Sequence, residues 1–205
     1  MTKAAEQILD EALALIGENG WLNTSLADMA AASEISVTVF LRHYPSRIAV
    51  LDAFADRVDL DFLDCADEID RTESLSERLF EALMLRFDGM REHKNAIRAI
   101  VHDILRQPLE AICRTRRLTR SIELTLEAVG FKGSGTSGLI YVNAVALIYL
   151  DVLRVWLDDD SGDMGKTMSA LNHRLKQASF LFKGHFSYFS SVDTRESGQG
   201  EAKTN

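Results

Sequence analysis

The sequence predicts an all-α protein, with a small N-terminal helical head joined to a larger helical body. Three observations carry this. Only 2 prolines and 12 glycines interrupt 205 residues, so long stretches are free to stay helical. Apolar residues recur at three-to-four spacing through most of the chain, the period of one helix face. Serine and Asn-Gly signals stand where those stretches begin and end.

The first periodic stretch runs from about Ala4 to Glu18, with Ala5, Ile8, Leu9, Ala12, Leu15 and Ile16 as its stripe. Asn19-Gly20 ends it, because glycine tolerates the left-handed backbone after a helix. Trp21 and Leu22 then pin the turn to the core. Ser25 and Asp28 have capping-box spacing and open a second helix that ends near Ala32, with Leu26, Met29 and Ala30 facing inward. Ser36 caps a third, Val37 to His43, and Pro45-Ser46 stops it and caps a fourth from Arg47 into the sixties. Two short helices joined by about four residues match helix-turn-helix architecture.

The fourth helix, lined by Ile48, Leu51, Phe54 and Val58, connects this head to the rest. A polar boundary at Asp67–Ser76 follows. Further helices are expected at about Leu75–Glu92, Asn95–Arg106 and Leu109–Val129. After a flexible glycine-rich loop at 130–138 come Leu139–Leu157 and Asp163–Phe182, separated by a polar turn at Asp158–Asp163. In the last helix Met164, Met168, Leu171, Leu175, Ala178 and Phe182 form a heptad-like seam. From Gly184 onward the composition is that of a disordered tail. The expected organisation is a head at 1–47, a body at 48–183 and a tail at 184–205.

Composition narrows the class. The chain is 46% apolar and 26% charged, as in soluble globular proteins. Residues 1–20 carry four carboxylates, which argues against a signal peptide. The most apolar run, LIYVNAVALIYL at 139–150, is twelve residues long. That is too short to span a bilayer and reads as a buried core helix. Cys65 and Cys113 belong to no CxxC or Cys/His cluster, so two buried thiols and a cytoplasmic location are expected. His43, His93, His102, His173 and His185 lack metal-ligand spacing, and no metal or cofactor is expected. No phosphate loop, nucleophile elbow or HExxH motif is present, so the chain reads as a non-enzyme. Net charge is −8, and the first 47 residues hold three basic and six acidic groups. That balance opposes strong DNA binding by a single head, because phosphate neutralisation supplies most of such affinity.

ILDEALALIGENGW at 8–21, TSLADMAAAS at 24–33 and ISVTVFLRHYPSR at 35–47 together resemble the TetR family of bacterial transcriptional regulators. The resemblance implies a homodimer that lays its third helix in the major groove of double-stranded DNA. It also implies a body that binds a small apolar effector, with repression relieved when the effector spreads the two heads. Carried over position by position, Thr24 and Ser25 reach phosphate at the start of helix two. Val37 and Thr38 face base edges, and Arg42, His43 and Arg47 meet phosphates. Phe87, Met90, Ile97, Val101, His102 and Ile104 become pocket walls. Val145, Tyr149, Val152, Met168, Leu171 and Leu175 become the dimer interface of a four-helix bundle.

Three positions depart from the family pattern. Glu34 stands where a glycine is usual in the turn, Val37 where a lysine or another polar residue is common, and Leu41 where a phosphate-binding tyrosine is usual. The segment LRVWLDDDSGDMGKTMSALNHRL at 153–175 also resembles the C-terminal part of the ubiquinone-biosynthesis accessory proteins. Those keep a TetR-like fold and bind a lipid without acting on DNA. The second reading implied is a lipid-binding accessory protein with a degenerate DNA-reading head. A basic cluster at Arg114, Arg116, Arg117 and Arg120 reads as a solvated face, or as a surface for acidic headgroups or an acidic partner.

Overall fold

The computed structural model describes residues 3–178 except 134, and their side chains except at 108–113. The end of the last helix at Phe182, the tail from Gly184, His185 and the side chain of Cys113 lie outside the described residues. The described secondary structure is helical throughout: α1 Lys3–Asn19, α2 Leu26–Ala32, α3 Val37–His43, α4 Arg47–Cys65, α5 Leu75–Gly89, α6 Lys94–Ile104, α7 Pro108–Ala128 and α8 Gly135–Leu157. The described part of α9 covers 165–178. Single 3-10 turns at Ala66–Glu68 and Arg91–His93 follow α4 and α5.

The expected starts are built as the sequence indicates. Ser25 Oγ accepts the Asp28 N–H while an Asp28 oxygen accepts the Ser25 N–H, so two orphan amides of α2 are satisfied reciprocally. Ser74 and Glu77 repeat the device at α5. Ser36 and Ser46 cap α3 and α4 by accepting from Val39 and Ala49. α5 ends at Gly89, three residues before the expected Glu92, because the chain tightens into the second 3-10 turn. α8 begins at Gly135 inside the expected loop and is thus 23 residues long. It is long and apolar enough to cross a bilayer, which removes the length argument made from residues 139–150. Its inner side is nevertheless core, for Val145, Val152 and Trp156 are almost fully buried.

One apolar cluster runs from Ile8 and Leu13 in α1, through Phe40 and Tyr44, to Phe87, Tyr149, Trp156 and Leu175. Head and body therefore share a core. α1 packs along α6, and Gly17 permits that approach: a Cβ there would stand 3.1 Å from the Ala96 backbone nitrogen. Leu13 rather than Leu15 completes the buried stripe of α1. Trp21 is buried as expected but Leu22 is exposed, because the turn after Gly20 points it outward. Cys65 is also exposed, although Phe62 and Ala66 on either side of it are buried. A smaller cluster of Phe62, Ala66, Ile69, Ala82 and Val129 closes the far end.

The basic cluster on α7 is partly committed. Arg114 pairs with Asp52 at 2.8 Å, and Arg117 with both Asp56 and Asp59 at 2.8 Å. These carboxylates form one row on α4 at four- and three-residue spacing, so the ion pairs knit α7 to α4.

Candidate nucleic-acid interface

α3 has only seven residues, and its position comes from two aromatic anchors. Phe40 is fully buried and Tyr44 nearly so. The Tyr44 hydroxyl donates to the Ala5 carbonyl oxygen at 2.7 Å, tying the end of α3 to the start of α1. Burial holds the Tyr44 pKa above the usual phenol range. With that side fixed inward, a 100° step per residue turns Thr38 and Arg42 to the opposite pole. Val37, Val39, Leu41 and His43 flank them, and all six are exposed. α2 crosses behind, held by Met29 and Ala30 in the core.

The sequence-derived DNA contacts divide into two groups. Ser25, Val37, Thr38, Arg42 and His43 lie on the surface, although the Ser25 hydroxyl is already engaged, donating to Asp28 Oδ2 at 2.6 Å. Thr24 is buried, and its hydroxyl donates to the Gly20 carbonyl oxygen at 2.8 Å. It braces the turn and offers no free donor. Arg47 is half-buried. Its guanidinium lies 4.2 Å from the Trp21 ring centroid, and Nη2 donates to the Trp21 carbonyl oxygen. It clamps the start of α4 to the turn after α1.

Glu34 adopts φ +54°, as expected for a position that suits glycine. An L-residue there is strained by about 1 kcal/mol. Its exposed carboxylate and that of Asp28 add negative charge to the head. Sequence reasoning missed Val39 as a third exposed apolar group on α3. The signal was available, because Val39 lies 100° from Phe40.

In the body, Phe87, Met90 and Ile97 are core, with Phe87 stacked on Tyr149 and Trp156 at 5.1 and 5.8 Å between centroids. Val101 and Ile104 are partly buried, and His102 is exposed beside Asp103. A described groove of about 530 Å3 between α5 and α9 is lined instead by Ser74, Glu77, Phe80, Met168, Asn172 and Lys176, among others. Val145, Tyr149, Val152, Leu171 and Leu175 point into the subunit's own core. Of the six expected interface residues only Met168 is exposed. The outer side of α8 carries Leu139, Ile140, Leu147 and Leu150 instead, all exposed. Among the described residues no group of three or more His, Cys, Asp or Glu is placed to hold a metal.

A capped two-helix unit, anchored by aromatics and carried on a long connecting helix over a helical body, is helix-turn-helix architecture. Residues 8–54 match the model of the bacterial regulatory proteins, tetR family. A TetR transcriptional regulator from Nitrosomonas europaea ATCC 19718 superposes with a TM-score of 0.71 at 22% identity, over 86% of this chain and 98% of that one. A TetR transcriptional regulator from Rhodococcus sp. RHA1 gives 0.63 at 15% identity, over 85% and 95%. A tetR-family regulator from Streptomyces coelicolor gives 0.60 at 17%, over 97% and 93%. No curated protein matches the sequence. The head is thus of the TetR type, and the chain as a whole has the fold of TetR-family transcriptional regulators.

Proposed function

We propose that this protein is a cytoplasmic, homodimeric DNA-binding regulator of TetR type, a repressor released by a small apolar effector. The observation that carries the reading is the outer side of α3. Phe40 and Tyr44 are sunk in the core, while Thr38, Arg42 and His43 stand exposed beside exposed Val37. Thr38 hydrogen-bonds a base edge, and Val37 touches a thymine methyl in the major groove. Arg42 and His43 meet phosphates, and Ser25 does so only by giving up its hydrogen bond to Asp28. The buried Thr24 and the clamped Arg47 support the head from within.

With so few cations, one head binds weakly, and two heads on one operator supply the affinity. The dimer face is the exposed stripe of α8 with Met168 of α9. Ile140, Leu147 and Leu150 lie at seven- and three-residue spacing, which suits a helical seam. The effector occupies the body and stabilises the dimer geometry that fits DNA poorly, so operator affinity falls by the coupling free energy.

The exposed Val37, Val39 and Leu41 and the acidic Glu34 favour a second reading, a lipid-binding accessory protein that does not act on DNA. Fluorescence anisotropy against the DNA flanking the gene, at two salt concentrations, separates the two. A specific, salt-sensitive complex lost on combining Arg42→Ala with His43→Ala supports the regulator. Absence of any specific complex, with a co-purifying isoprenoid or phospholipid, supports the accessory protein.

A further inference from the structure

Three helices of the body bring an ionic cluster into its interior. Asp59 of α4 accepts from Arg86 of α5 at 2.8 Å through Oδ1. Through Oδ2 it accepts from Arg117 Nη2 of α7 at 2.8 Å and from the Ser121 hydroxyl at 2.9 Å. These donors and charges hold the Asp59 carboxyl below its usual pKa although burial opposes them. The Arg86 and Asp59 side chains are 4% and 6% exposed, and Arg117 is 17% exposed. Asp56, which also pairs with Arg117, is 61% exposed and lies at the rim. With Asp56 included, the cluster holds two guanidiniums and two carboxylates, and of these only Arg86 and Asp59 are fully buried.

Arg86 is also incompletely bonded. Its Nη2 serves Asp59, whereas Nε and Nη1 are not so matched. A guanidinium carries one N–H on Nε and two on Nη1, and these are buried without a hydrogen bond of ordinary geometry, the Tyr149 hydroxyl being the nearby acceptor. Native interiors rarely leave such donors unsatisfied, and a charged one is the most costly kind. The surroundings are aromatic: Phe62 lies 5.6 Å from the Arg86 guanidinium carbon. The Tyr149 ring, stacked on Phe87, is in electrostatic reach of Arg86.

We propose that Arg86 is the anchor of a ligand site in the body that takes the carboxylate of an otherwise apolar molecule. The inference rests on the reading of the body as effector-binding and adds the chemical class. A carboxylate matches the paired donors of a guanidinium edge and satisfies Nε and Nη1. The aromatic neighbours receive the apolar remainder. The carboxylate competes with Asp59 for Arg86. Asp59 belongs to α4, the helix that leads directly out of α3, so occupancy loosens α4 against α5 on the body side of the head.

The test is calorimetric titration of the full chain, without DNA, with acetate, benzoate and decanoate, and with benzyl alcohol and 1-decanol as neutral counterparts. At least one carboxylate should bind wild type about tenfold or more tightly than its neutral counterpart, equivalent to about 1.4 kcal/mol. Arg86→Met should abolish that preference, with Arg86→Lys intermediate and the alcohols unaffected. Should Arg86→Met fail to fold, Asp59→Asn is the second variant, and it should raise carboxylate affinity by freeing Arg86. The proposal is overturned if no carboxylate is preferred. It is equally overturned if the preference is the same in wild type and every folded variant. Because DNA is absent, failure here leaves the DNA-binding reading standing, and loss of that reading leaves this result intact.

Discussion

The backbone N–H of Leu22 donates to Asp103 Oδ2 at 3.0 Å, across eighty-one residues of chain. Leu22 belongs to the turn between α1 and α2, and Asp103 to the last turn of α6. The bond therefore joins the head directly to a body helix, beside the seam where α1 lies on α6. Asp103 is buried to 8% exposure. The Leu22 amide holds its carboxyl below the usual range, helped by His102.

Asp103→Ala should lower unfolding free energy by about 1–2 kcal/mol, the cost of a lost hydrogen bond to a charged acceptor and a stranded amide. Urea denaturation at pH 7 measures it. Because the folded pKa is depressed, the contribution is complete above the unfolded carboxylate range near 4 and is lost as pH falls through the folded value. A variant as stable as wild type at pH 7 would show that the bond contributes nothing.

His93, in the turn before α6, meets α4 and α1. Its Nε2 lies 2.8 Å from Arg57 Nη2 of α4 and 3.6 Å from Asp10 Oδ1 of α1, and its ring meets Phe54 edge-on at 5.5 Å. Burial, and then the Arg57 charge, hold its pKa below the ordinary 6.5. The fold thus prefers neutral imidazole, accepting from Arg57 with its own proton on Nδ1. Stability should be full above about pH 6.5 and fall as pH drops toward the folded pKa. Urea midpoints at pH 7.5, 6.5 and 5.5 should show this decline, and His93→Gln should flatten it. An equal decline in the variant assigns the effect elsewhere.

Glu34→Gly should relieve the strain at φ +54° and raise stability by about 0.5–1 kcal/mol. It also removes a carboxylate from the head. Operator affinity should rise a few-fold at low salt, by roughly the strength of one screened charge contact, and the gain should shrink at high salt. Thermal melts and anisotropy read the two effects separately. A gain in stability with no change in affinity would place Glu34 away from the duplex.

Leu147 is 68% exposed, the most of any large apolar side chain among the described residues. Leu147→Glu should leave the subunit fold intact, because the side chain is already outside the core. It should convert dimer to monomer in sedimentation velocity and weaken operator binding by at least about tenfold through loss of two-site engagement. A variant that remains dimeric excludes this face of α8 as the seam.

Local signals in the sequence were enough for the helices of the head and their starts, though not for α8, which begins at Gly135 inside the expected loop. A serine at each N-cap acts within three residues, and apolar periodicity acts within two turns, so α2, α3 and α4 fall where they were expected. The strained turn residue Glu34 was legible for the same reason. Long-range choices were not. Thr24 and Arg47 looked like surface donors, but Gly20 and Trp21 take their hydrogen bonds once α4 folds back on the turn. Val145, Val152 and Leu171 looked like a seam between subunits because periodicity marks an apolar face without saying which partner covers it. Asp159 looked like part of a solvated turn. It is buried instead, accepting from the Ser161 hydroxyl and from Thr167 N and Oγ1 at 2.8 Å, and these bonds, Ser161 first, hold its carboxyl well below the usual range although burial opposes them. Arg86 sits on the stripe of Leu79, Leu83 and Met90, where a charge among apolar neighbours was a visible warning. Only the convergence of α4, α5, α7 and α8 decides that it meets Asp59 and leaves donors unmatched. The sequence by itself determined the helices of the head and their caps. The tertiary structure decided which polar groups remain free, because a hydrogen bond between distant segments depends on packing that no local pattern records.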